Sequence, residues 1–261
     1  MSENLTVDQW ILSYALTAPR IVAVFAILPF LGKTILTGLI RNGVALSIAI
    51  VVVPVVALDM ATVSLSPLET VGLLLKETLI GILIGFPLAV LFWSLESIGF
   101  YIDNQRGAAM ASSLDPMSGA QTSPLGILLN QAFVVYFFST GAFFSLLGIL
   151  YGSYVVWPVS AFFPSFGEGL PAFYLGLLDG LMWLIITFSA PVIVAMFLAE
   201  LALALISRFA PQLNVFVLAM PIKSAIGIFV LIVYVPILFD SITGSGGGLE
   251  VRWQMLRALL E

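Results

Sequence analysis

Long charge-poor runs set apart by scattered charged residues dominate the hydropathy pattern of this chain. Trp10 to Leu31, Asn42 to Leu58, Thr78 to Leu95, Leu181 to Ala199 and Phe209 to Phe239 each hold at most one charge. A helix rises about 1.5 Å per residue, so about 20 apolar residues cross a hydrocarbon core of roughly 30 Å, and each run reads as a membrane helix. Pro19 and Arg20 sit near the middle of the first run. In the last, Pro211 and Pro221 precede Lys223, and helix is expected to restart near Pro221. Pro116 to Gly167 carries no charge in 52 positions, more than one crossing can use. A helix is expected from Pro124 to Leu150, followed by an aromatic segment broken around Gly152, Pro158 and Pro164. That segment reads as an interfacial aromatic belt or as a re-entrant piece packed against protein.

Six alternating spans would place Lys33, Arg41, Arg106 and Arg208 on one side and Lys76, Arg252 and Arg257 on the other, a balance that sets no orientation. Either the count is off or the helices are not simple crossings. The pattern divides the chain into a helical body over residues 1–240, a Gly-rich connector over 241–248 and an amphipathic helix over 249–261. In that helix Leu249, Trp253, Leu256 and Leu260 recur at helical spacing, opposite Glu250, Gln254, Arg257 and Glu261. Interfacial docking and partner packing both suit such a face.

Composition removes other classes. Apolar residues make up 61% of the 261 residues and charged ones 9%, with a mean hydropathy of +1.16, so no water-soluble fold could hide the apolar surface. The fold class is an all-α integral membrane protein with about six hydrophobic helical segments, several broken or tilted. The chain has no Cys and no His, which excludes thiol chemistry, disulfides, imidazole or thiolate metal sites and a Ser-His-Asp triad. No catalytic residue, cofactor or metal is expected. A net charge of -5 without a Lys/Arg run argues against nucleic acid. The start has Glu3 and Asp8 but no basic residue, so the first apolar run is expected to be retained.

Ionisable groups inside membrane segments need partners, because each costs at least about 2.5 to 3.5 kcal/mol there. Arg20 is expected to pair with an acid such as Glu77 or Glu200. Three polar or small-residue stripes follow helical spacing: Glu77, Gly81 and Gly85; Glu96, Gly99, Asp103 and Arg106; and Glu200, Ala204 and Arg208. They read as buried helix seams or as a substrate path, and Gly81 to Gly85 is a GxxxG pattern for close approach. The loop Met110-Ala111-Ser112-Ser113-Leu114-Asp115-Pro116-Met117-Ser118-Gly119-Ala120-Gln121 is too polar to span and nearly uncharged. Its small residues, two Met and the Asp-Pro turn suit a connector or an adaptable plug.

Three stretches resemble the FliR/SctT family of export-apparatus proteins from flagella and type III secretion injectisomes, nearest its YscT/PscT-like branch. They are Ile102-Asp103-Asn104-Gln105-Arg106-Gly107-Ala108 with Asp115-Pro116 downstream; Leu198-Ala199-Glu200; and Ile206-Ser207-Arg208-Phe209-Ala210-Pro211-Gln212-Leu213-Asn214-Val215-Phe216 leading to Pro221-Ile222-Lys223-Ser224. The resemblance implies a multi-pass subunit of the bacterial inner membrane, joining SctR-like and SctS-like proteins in a helical export gate raised toward the periplasm. It also implies contact with an SctU-like switch protein, passage of exported polypeptides, surrounding membrane lipid, and a plug at about Met110 to Gln121. No catalysis is implied. The rivals are a small-molecule permease, for which two similar halves would be expected but are not visible, and an intramembrane enzyme, for which no dyad or nucleophile motif is visible.

Overall fold

The computed structural model describes residues 6–29, 37–61, 65–107, 123–162, 167–210, 215–243 and 249–258. The plug-like loop Met110 to Gln121, the motif residues Pro211 and Asn214, and Lys33 and Pro164 lie outside the described residues. The described elements are helices in the order α1 (Val7–Ile27), α2 (Gly38–Ile50), α3 (Val53–Met60), α4 (Pro67–Arg106), α5 (Pro124–Ser139), α6 (Ala142–Val156), α7 (Leu170–Phe209), α8 (Val215–Thr243) and α9 (Leu249–Ala258). Four of them are long and apolar enough to cross a membrane, and six spans result if each of two bent pairs counts as one. The chain is an all-α, multi-pass membrane protein.

Local chemistry sets the helix ends. Thr6 and Gln9 form a reciprocal capping box at the start of α1. Ser66 and Glu69 do the same for α4, with Pro67 in the first turn, where a missing N–H costs nothing. The run from Asn42 to Leu58 is bent by 59° between α2 and α3. Pro54 lies just inside α3 and has no N–H to offer the carbonyl of Ile50, so the α2 ladder cannot continue through it.

The structure corrects three sequence expectations. Pro124 to Leu150 is not one helix: Gly141, at φ +77°, turns the chain by 75° between α5 and α6, while Gly152 lies inside α6 and breaks nothing. The last long helix begins at Val215 and carries Pro221 in its interior. Thr78 to Leu95 and Leu181 to Ala199 are only the cores of α4 and α7, each 40 residues long. At about 60 Å, each exceeds the hydrocarbon core about twofold.

Two compact units share the chain, one formed by Met1–Val90, Phe137–Leu177 and Gly248–Glu261, the other by Leu91–Tyr136 and Leu178–Gly247. In the first, α1 packs on α2 and α3, and its Leu16, Ile21, Val24 and Phe25 are all buried. It also meets α4 backbone to backbone. A Cβ on Gly81 would collide with the carbonyl oxygen of Arg20, and one on Gly85 would stand 3.2 Å from the Cα of Val24. The tail helix α9 packs on α6, with Leu256 buried and the Trp253 ring beside Gly152.

In the second unit α4 and α5 make an equally close crossing, where a Cβ on Gly99 would lie 2.5 Å from the Cα of Gly126. Phe92, Phe133 and Phe239 then form edge-to-face contacts at 5.0 and 5.6 Å between ring centroids. Gly227 of α8 admits the Met196 thioether of α7.

The α1–α4 contact sets a simple test. Gly81→Ala is expected to destabilise the chain by about 1 to 3 kcal/mol, because its methyl group meets a backbone oxygen that cannot move aside. Gly148→Ala in α6 faces open space, and is expected to be neutral or to stabilise by up to about 1 kcal/mol through helix propensity. Thermal unfolding in mild detergent, followed by circular dichroism, distinguishes the two. Equal shifts would contradict the crossing.

Candidate functional site

Two polar constellations stand out, one in each unit. In the first unit Pro19 and Arg20 lie in the middle of α1, and the Arg20 side chain is completely buried. Its Nε and Nη2 donate to the two carboxylate oxygens of Glu77 at 2.7 and 3.0 Å, the bidentate arrangement in which guanidinium and carboxylate match best. Nη2 also donates to the carbonyl of Trp157 at 2.8 Å and Nη1 to the Ser153 hydroxyl at 3.0 Å, so four of its five N–H groups are satisfied. The ring of Tyr154 lies 4.0 Å from the guanidinium carbon, and the Tyr154 hydroxyl donates to the carbonyl of Thr17. Of the two acids that could have paired with Arg20, the structure uses Glu77.

Lys76 completes this cluster, although its sequence marked only a helix boundary. Its Nζ lies 2.9 Å from Glu77 and donates to the carbonyls of Pro158, Val159 and Ala161 at 3.2, 2.9 and 2.8 Å. Asp59 adds a hydrogen bond from the Ser160 hydroxyl. Charged groups from α1, α3 and α4 thus hold one short aromatic segment, in which Trp157 and Val159 are buried. Over residues 157–162 the protein-packed alternative describes this segment better than a lipid-facing belt. The one available sequence signal was the adjacent Lys76-Glu77 pair at the edge of an apolar run.

In the second unit, motifs far apart in sequence come to one end of the helices. Asp103, in the last turn of α4, is buried. Its Oδ2 accepts from the Ser123 hydroxyl at 2.6 Å and from the Leu125 amide at 3.0 Å, while Ser123 accepts from the Gly126 amide and so caps α5. Arg106 Nε lies 2.7 Å from Asp103 Oδ1, off the line of its N–H, so the pair is held by charge more than by a hydrogen bond. Gly107 ends α4 at φ +84°, where a side chain would be strained, and Met220 of α8 lies beside it. Asp103, Arg106 and Ser123 therefore clasp the two helix ends that flank residues 108–122. Ser123 was missed from sequence because a serine before a proline reads as an ordinary helix start.

At the same end Lys223 of α8 pairs with Glu200 of α7 at 3.0 Å. Gln105 is exposed, and so is Arg208, which makes no ion pair among the described residues. Nor do the described carboxylates gather into a group that could hold a metal ion.

Residues 11–245 match the family described as bacterial export proteins, family 1. The chain belongs to that family. It is 50% identical over 225 residues to Yop proteins translocation protein T of Yersinia pestis, covering 86% of each chain. It is 34% identical to the surface presentation of antigens protein SpaR of Salmonella typhimurium, over 88% of this chain and 86% of that one. With the flagellar biosynthetic protein FliR of Bacillus subtilis it shares 30% identity over 87% of both. The family match covers both constellations and stops before α9.

Breaking the buried ion pair from one side leaves a charge without compensation. Arg20→Ala and Glu77→Ala are each expected to cost about 3 to 5 kcal/mol or to prevent accumulation of the protein. Arg20→Lys is expected to rescue little, because an ammonium cannot make the two-pronged contact. Chemical unfolding in detergent and the amount of membrane-inserted chain check both statements. In the second unit Asp103→Ala is expected to destabilise by about 1 to 3 kcal/mol through the unpaired Ser123 and Leu125 donors.

Proposed function

We infer that this chain is an inner-membrane export-gate subunit of a bacterial type III protein secretion system of the injectisome kind. The observation that carries the reading is the 50% identity, over 86% of both chains, with a protein named for translocation of Yop proteins. SpaR and FliR extend the likeness to antigen presentation and flagellar biosynthesis, and none of these names describes small-molecule transport. The small-molecule permease therefore has no observation in its favour.

In this reading the subunit does no covalent chemistry. It supplies part of the wall of a channel for unfolded polypeptides, beside SctR-like and SctS-like subunits and in contact with an SctU-like switch protein. The buried network of Arg20, Glu77 and Lys76 suits a rigid wall element, since its polar groups are satisfied internally. Met110 to Gln121 is assigned the resting seal. Its residue types support that role: two flexible Met among Ala, Ser and Gly can fill an irregular constriction and withdraw from it.

Deleting the gene is expected to abolish export of secreted proteins, and a tagged chain extracted in mild detergent is expected to bring SctR-like and SctS-like chains with it. Unchanged secretion would overturn the reading. Shortening residues 110–121 while keeping Asp103 to Gly107 and Ser123 is expected to raise small-ion conductance of the assembled complex. A shortened complex as tight as the parent would move the seal to another subunit.

A further inference from the structure

Helix α4 runs through a residue that cannot complete its hydrogen bonding. Pro87 lies in the helix interior and is buried. Proline has no N–H, so the carbonyl four residues earlier loses the donor it would meet in a regular helix, and here that carbonyl belongs to Leu83. A main-chain carbonyl inside packed protein costs free energy unless another donor reaches it. The donor comes from a different helix. Tyr174, the fifth residue of α7, donates its hydroxyl to the Leu83 carbonyl at 2.6 Å in a partly buried contact. Two rings steady the tyrosine there, Phe86 at 5.7 Å and Phe173 at 5.4 Å between centroids.

The position of this bond in the chain matters as much as its chemistry. Leu83, Pro87 and Tyr174 all belong to the first compact unit, and both long helices leave that unit just past the contact: α4 after Val90, three residues beyond Pro87, and α7 after Leu177, three residues beyond Tyr174. We propose that Tyr174 is the latch of a proline hinge in α4. Bound, its hydroxyl replaces the amide that Pro87 lacks and pins the first turns of α7 to α4. Released, it leaves α4 one hydrogen bond short at a proline, the kind of point at which helices bend. The state of α4 around Pro87 is thereby coupled to the position of α7, through one hydroxyl and without any change of charge. The device belongs to the fold of this chain and stands whether or not the chain serves export.

The test is backbone hydrogen exchange on the full-length chain, extracted with its complex in mild detergent, because exchange reads the free energy of local opening segment by segment. Tyr174→Phe keeps the ring and removes only the donor. It is expected to speed exchange by about three- to tenfold, the change one net hydrogen bond carries, at the amides of Phe173 to Leu177 in α7 and of Leu88 to Leu91 in α4. Amides 96–102 of α4 and 192–199 of α7 are expected to stay within a factor of about two of the parent. The second arm repeats the substitution in Pro87→Ala, which returns an amide to the Leu83 carbonyl. There the effect of Tyr174→Phe on the same amides is expected to shrink below about twofold, since the carbonyl left behind has its own donor. Should Pro87→Ala fail to accumulate, Pro87→Ser returns the same amide and takes its place. Unchanged exchange in Tyr174→Phe would overturn the proposal. So would acceleration spread evenly along both helices, or confined to α7, or equal in size with and without Pro87.

Discussion

A guanidinium shut away from water must find its acceptors within the protein, and Arg20 is placed where only three separate pieces of chain can supply them. Glu77 comes from α4, Ser153 from α6, and the Trp157 carbonyl from the segment after it. The requirement ties these elements to α1 more firmly than apolar packing would, since apolar contacts tolerate sliding and a bidentate pair does not. The glycines at 81 and 85 belong to the same constraint. Without them α1 could not come close enough to α4 for Arg20 to reach Glu77. Lys76 then uses the shared carboxylate and three carbonyls to fix the chain as it leaves α6.

The second unit solves a different problem. Its α4 and α5 are joined by residues that the clasp of Asp103, Arg106 and Ser123 brackets, so the helix ends are held by a buried carboxylate whatever the residues between them do. A subunit whose proposed work is to open a passage has use for such a division. Its frame is held by charge and close helix contact.

Helix length adds a third constraint. A bilayer offers cover for only about half of a 60 Å apolar helix, so α4 and α7 require neighbours beyond the lipid. The first finds them within the chain, with two thirds of its most apolar window buried, whereas that of α7 is 28% buried. Most of the apolar window of α7 is left uncovered by the described residues of the chain.

The sequence alone determined the class, the approximate number of spans and the positions that need partners. Those properties follow from quantities local to the chain: the run of apolar residues, the spacing of charges, and the absence of Cys and His. The long motif around Asp103 and Arg208 pointed to the family for the same reason, being contiguous. What it could not supply was any choice among equivalent neighbours. Glu77 and Glu200 were equal candidates for Arg20; Lys76 entered only the charge balance, and Ser123 was not singled out. Gly152 reads as a break and Gly141 passes unnoticed, yet Gly141 turns the chain and Gly152 lies inside a helix beside a tryptophan. Only the tertiary structure decided these, because an ion pair, a helix crossing or a bend is settled by which distant backbone comes within a few ångströms, and local pattern holds no record of that distance.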